Sequence, residues 1–147
     1  MGLFDDVFGS PSSTKDYTPA EAFAGILLAA NASDGHVSDE EVQGFVTVIC
    51  RMKLYENMTA NKINGLIDKM HKGMKKLGLQ GFIEACSDAL PEKLHKTAFA
   101  NACDMVFADG VVEDEEREFI NKLWKALGIS GDDAKTIAQV MAIKNQG

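Results

Sequence analysis

The chain contains no run of about 18 apolar residues, so no segment is predicted to span a membrane. It lacks a surplus of positive charge. Its 15 Lys and Arg face 22 Asp and Glu, a formal net charge of −7. That excludes DNA or RNA as an expected partner, because binding phosphate needs a basic surface. Cysteines are few and odd in number: Cys50, Cys86 and Cys103, with no CxxC spacing. Each lies in an apolar stretch, which predicts buried, reduced thiols in a cytosolic protein rather than a disulfide framework. A metal held by Cys103 with His95 would want a third ligand at a recognisable spacing, and none is there. GxSxG, HExxH, P-loop and GxGxxG motifs are all missing, and His36, His71 and His95 sit in unrelated contexts. The chain is therefore read as non-enzymatic. Its first residues have neither the basic nor the apolar region of a signal peptide.

What is present suits one soluble domain. The chain's 147 residues are enough for a real core, and 46% hydrophobic with 25% charged residues is an ordinary globular composition. The charge is unevenly spread. Met1 to Cys50 carries eight acids and one Lys, Arg51 to Ala100 nine Lys or Arg and five acids, and Asn101 to Gly147 nine acids and five Lys or Arg. Residues 1–17 read as a flexible tail, since Gly9-Ser10-Pro11-Ser12-Ser13 is linker chemistry. Residues 18–147 read as the domain.

Helical signals fill that domain and no strand pattern appears. Thr18-Pro19-Ala20-Glu21 combines a cap, a first-turn proline and a capping-box acid. The following helix is apolar nearly all round, which predicts a buried central helix. A second starts at Ser38 and carries Val42, Phe45, Val46, Ile49 and Met52. A third presents Ile63, Leu66, Ile67, Met70, Met74 and Leu77 on one face, with Lys62, Lys69, Lys72, Lys75 and Lys76 away from it. Those lysines read most simply as a solvated face. Gly78 and Gly81 interrupt the chain before a fourth segment over 82–89. Pro91 opens a fifth to about Ala108, a sixth starts near Glu113, and Ser130 or Asp132 caps a seventh that holds Ile137, Val140, Met141 and Ile143. The expected fold is an all-α single-domain bundle of about seven helices.

One phrase occurs twice. Asn31 to Glu41 contains Asp34-Gly35, Val37 and Asp39-Glu40-Glu41, and Val106 to Glu116 contains Asp109-Gly110, Val112 and Asp114-Glu115-Glu116. The repeat predicts two pseudo-symmetric halves, each a helix, an Asp-Gly turn and two further helices. Helix capping explains much of it. Gly35 would end one helix, Ser38 would cap the next, Glu41 would close the box, and Val37 would staple against Val42. The second copy fits capping less well, because Glu113 is a poor cap and its staple partner would be Arg117. Aligned on a calcium EF-hand loop, Asp34, Val37 and Glu41 take ligand and apolar positions, as do Asp109, Val112 and Glu116. Ala30 and Ala32, then Met105 and Phe107, fall where the first two ligands belong, so neither turn is an EF-hand. The excess of carboxylates still makes a cation site a candidate. Its residues are Asp34, Asp39, Glu40, Glu41, Asp104, Asp109, Asp114, Glu115 and Glu116.

An Ala-rich helix running into Asp-Gly-x-Val followed by Asp-Glu-Glu, placed twice, resembles the TerB-like tellurite-resistance family. The likeness covers about Ala20 to Ile143 and is strongest at Ala108 to Glu116 with Phe119-Ile120. It implies an all-α domain, cytoplasmic or peripheral at the inner face of the membrane. The implied role is a non-enzymatic one in resistance to tellurite and related stress, in complexes with a membrane protein of the same system. It also implies divalent metal binding through acidic residues, which carries over to Asp34, Asp39, Glu40, Glu41, Asp109, Asp114, Glu115 and Glu116, the ion unidentified. A basic partner would suit the same acidic face. The alternative is an interaction domain whose acids only cap helices.

Overall fold

A computed structural model describes residues 17–32, 39–108 and 110–146, except for the side chains of 39–41. Among these the protein is entirely helical. Its α-helices are α1 (Pro19–Ala32), α2 (Asp39–Cys50), α3 (Ala60–Ala89), α4 (His95–Phe107), α5 (Asp114–Ala126) and α6 (Gly131–Lys144). Two 3₁₀ turns, Lys53–Tyr55 and Glu92–Leu94, join α2 to α3 and α3 to α4. The break read at Gly78 lies inside α3, where φ 75° and ψ 165° interrupt the helix. Only glycine adopts that backbone without strain.

Local chemistry sets the helix starts. The Thr18 amide donates to Glu21 Oε1 at 2.9 Å and the Glu21 amide to Thr18 Oγ1 at 3.1 Å. Thr59 caps α3 by accepting from the Lys62 amide at 3.2 Å. Of the two candidates for α6, Ser130 is the cap, accepting from the Asp133 amide at 3.1 Å. Gly110 and Gly128 close α4 and α5 at φ 80° and 69°.

The core forms around α1. Ala20 and every residue from Ala22 to Asn31 are buried, as expected of a helix apolar on all sides. α1 packs chiefly on α3 and α4, while α5 lies against α3 and α4, and α6 against α4. Phe23, Phe45, Phe82, Phe99 and Phe119 are fully enclosed, each contributing roughly 1.5–3 kcal/mol by burial. The α1–α3 crossing is close. A Cβ on Gly25 would stand 2.7 Å from Cys86 Sγ and 3.0 Å from both Met70 Sδ and Phe82 Cζ. The Tyr55 hydroxyl ties the 3₁₀ turn to α1, donating to the Ala20 carbonyl at 2.6 Å. Tyr17, the last residue read as tail, packs edge-on to Phe82 with ring centroids 6.2 Å apart.

Some side chains depart from expectation. Cys86 and Cys103 are buried but Cys50 is exposed. Phe45 and Ile49 turn inward, and Cys50 follows them by one step of about 100° onto the solvent side. Leu77, expected on the inner face of α3, is exposed beside the Gly78 break, and Val140 and Ile143 are exposed on α6. Within α5 the sequence predicts Phe119, Ile120, Leu123 and Trp124 all facing inward, whereas Phe119 and Leu123 are enclosed and Ile120 and Trp124 only half-buried.

Candidate functional site

The second Asp-Gly turn leaves the end of α4 and enters α5. The Gly110 amide donates to the Phe107 carbonyl at 3.1 Å, and Gly110 takes the left-handed backbone that turns the chain. Glu113 is the N-cap of α5, with extended backbone at φ −73° and ψ 161°. Its amide donates to Glu116 Oε1 at 2.9 Å, so Glu116 reaches back to close a capping box despite the unusual cap residue. Asp114 and Glu115 follow in the first turn. Both are exposed, where each gains roughly 0.3–1 kcal/mol from the helix dipole.

Val112 and Arg117 occupy the two positions that a hydrophobic staple would join. Arg117 cannot fill the apolar role, and the space stays open. A shallow groove of about 290 Å³ lies there, lined by Phe107, Val112, Arg117, Ile120 and Asn121. Beside it Val111 is 59% exposed. The acidic turn therefore borders an apolar groove. The charged staple position was the one sign of it in the sequence.

The candidate ligands are distributed as follows. Asp114 and Glu115 stand together on the first turn of α5, and Glu116 is engaged in the cap. Asp104 faces α6 instead. Its Oδ1 accepts from Asn145 Nδ2 at 2.8 Å and pairs with Lys144 Nζ at 3.1 Å, which fastens α6 to α4. Asp34 and Asp109 lie outside the described residues, as do the side chains of Asp39, Glu40 and Glu41. With them go Gly35 as a C-cap, Ser38 as a cap and the Val37–Val42 staple. Among the described residues no three His, Cys, Asp or Glu side chains are grouped to hold a metal ion.

His95 and two of the three thiols, Cys86 and Cys103, are occupied or enclosed. His95 bridges two helix ends, with Nδ1 2.8 Å from the Leu127 carbonyl and Nε2 2.8 Å from the Leu90 carbonyl. Both ring nitrogens are committed, which removes His95 as a partner for Cys103. Burial pushes the Cys86 thiol up to about 12, and burial with the nearby Asp104 charge does the same for Cys103. Neither is a ready nucleophile. No helix among the described residues is long and apolar enough to cross a membrane.

The family model for tellurite resistance protein TerB matches residues 20–139. No match was found among curated proteins or among solved structures.

Proposed function

Because the chain belongs to the TerB tellurite-resistance family, we propose that it is a non-enzymatic, cytoplasmic stress-response module whose acidic corner takes a positively charged ligand. The observation that carries this reading is the first turn of α5, where Asp114 and Glu115 are exposed in the stretch between Val112 and Arg117, two residues that line the groove with Phe107, Ile120 and Asn121. Acids that only capped a helix would need no apolar groove next to them. Together they suit a basic segment with apolar anchors, the apolar side chains entering the groove and Lys or Arg meeting the carboxylates. Cytoplasmic loops of membrane proteins carry an excess of Lys and Arg. A membrane protein of the same resistance system is thus a partner of the right charge, and engaging it would hold this chain peripherally at the inner face.

A divalent metal ion is the second ligand class, and the duplicated Asp-Gly turns favour it. Such a site would draw on Asp34, Asp39, Glu40 and Glu41 in one turn and Asp109, Asp114, Glu115 and Glu116 in the other. Hard oxygen donors of this kind suit Ca²⁺, Mg²⁺ or Mn²⁺.

Two titrations of the full chain separate the classes. In the first, a fluorescent amphipathic Lys/Leu peptide is added and anisotropy recorded. Binding that weakens with salt and falls in Asp114→Asn with Glu115→Gln supports the basic segment. In the second, the thermal midpoint is read with millimolar Ca²⁺, Mg²⁺, Mn²⁺ or Zn²⁺, since an ion that binds only the folded state raises it. A rise lost in Asp109→Asn with Glu116→Gln supports a metal site. No response to peptide or ion reduces the acids to helix caps.

A further inference from the structure

A strongly positive stretch lies on the described surface of a chain whose net charge is −7. Between Ala60 and Leu77, α3 carries Lys62, Lys69, Lys72, Lys75 and Lys76 and one acid, Asp68. Ile63, Leu66 and Met70 turn into the core, and all five lysines are exposed on the other side. Lys69 is tied down, 3.0 Å from Glu21 Oε2 and over the ring of Tyr17. Lys62, Lys72, Lys75 and Lys76 make no ion pair among the described residues. Elsewhere lysines do find acids, as in Lys96–Asp133 and Lys144–Asp104, at 3.0 and 3.1 Å.

We propose that this lysine row of α3 is a docking surface for an anionic lipid bilayer. The row runs roughly 21 Å along one straight helix face, at 1.5 Å per residue, and so matches a flat, extended surface. Its cations are all lysine, with no arginine in the segment. Lysine is a hydrated point charge that tolerates any arrangement of phosphates, whereas sites that read one carboxylate or one base favour the fork of arginine. Lysine is also depleted at protein–protein interfaces. Clustered lysines on an amphipathic helix are the usual means of attraction to anionic headgroups. The proposal gives the peripheral location suggested above a surface of its own, and it is independent of the acidic corner.

The test is co-sedimentation of the full chain with phosphatidylcholine vesicles, with and without phosphatidylglycerol. Binding is expected only with phosphatidylglycerol and is expected to fall as salt rises. Each lysine near the surface is worth about fivefold in partitioning, so Lys72→Gln with Lys76→Gln loses roughly 25-fold. A control pair on other surfaces, Lys93→Gln with Lys135→Gln, stays close to the parent. All four side chains are exposed, and circular dichroism should give unchanged thermal midpoints. Equal binding to both vesicle types, equal loss in the two pairs, or no binding overturns the proposal. An acidic protein as the true occupant would give the last result. Vesicle binding lost while peptide or ion binding persists would sink this inference and leave the acidic corner standing.

Discussion

Replacing Gly25 by alanine sets two effects against each other. In an exposed helix the change would stabilise by about 1 kcal/mol, since glycine is the poorer helix former. At Gly25 the added methyl meets Cys86 Sγ at 2.7 Å, with Met70 Sδ and Phe82 Cζ at 3.0 Å. All three neighbours are themselves fully buried, so they cannot swing into solvent. Overpacking of this kind costs about 1–3 kcal/mol. The net expectation is destabilisation by about 1 kcal/mol, with a midpoint lower by about 2–4 °C. Gly44 supplies the contrast. It lies inside α2, where a methyl group added to it would meet nothing within 4 Å, and Gly44→Ala should stabilise by up to about 1 kcal/mol. Urea unfolding of the two variants, fitted to a common slope, reads the signs directly. Cys86→Ala removes the nearest atom, so in the double variant the Gly25→Ala penalty should shrink by about 1 kcal/mol. Stabilisation by Gly25→Ala, or a penalty unchanged by Cys86→Ala, would refute the close α1–α3 crossing.

An imidazole carries one N–H when neutral and two when protonated, so His95→Phe should cost about 1 kcal/mol in the same assay for each of the Leu90 and Leu127 carbonyls that loses a donor. A loss no larger than that of an exposed substitution would mean that the bridge contributes nothing. Thiol labelling should distinguish the cysteines. Cys50 reacts with iodoacetamide in the folded protein, while Cys86 and Cys103 are modified only on unfolding, a count that mass spectrometry of native and urea-treated samples checks.

The parts of the fold legible in sequence were those set by neighbours a few residues apart. The Thr18–Glu21 box, the apolar run of α1 and the interruption at Gly78 all depend on local backbone chemistry. Long-range pairing was not legible. Asp104 was grouped with the acids of its own turn, yet its partners Lys144 and Asn145 come from the far end of the chain. The register of the repeat does not extend to the buried face of α5. It pairs Phe45 with Ile120, whereas the structure encloses Phe45 and Phe119, so the buried face is rotated by one residue. That rotation brings Ile120 and Asn121 to the groove with Arg117. Periodicity cannot fix such a choice when both Phe119 and Ile120 are apolar.

The acidic corner is tested most directly by recording backbone amide shifts of the labelled chain while a Lys/Leu peptide, and separately Mg²⁺ or Mn²⁺, is added. The account predicts changes concentrated at Gly110, Val112, Glu113, Asp114 and Glu115 and in the groove at Phe107 and Ile120. Shifts confined to other surfaces, or none under any titrant, would contradict it.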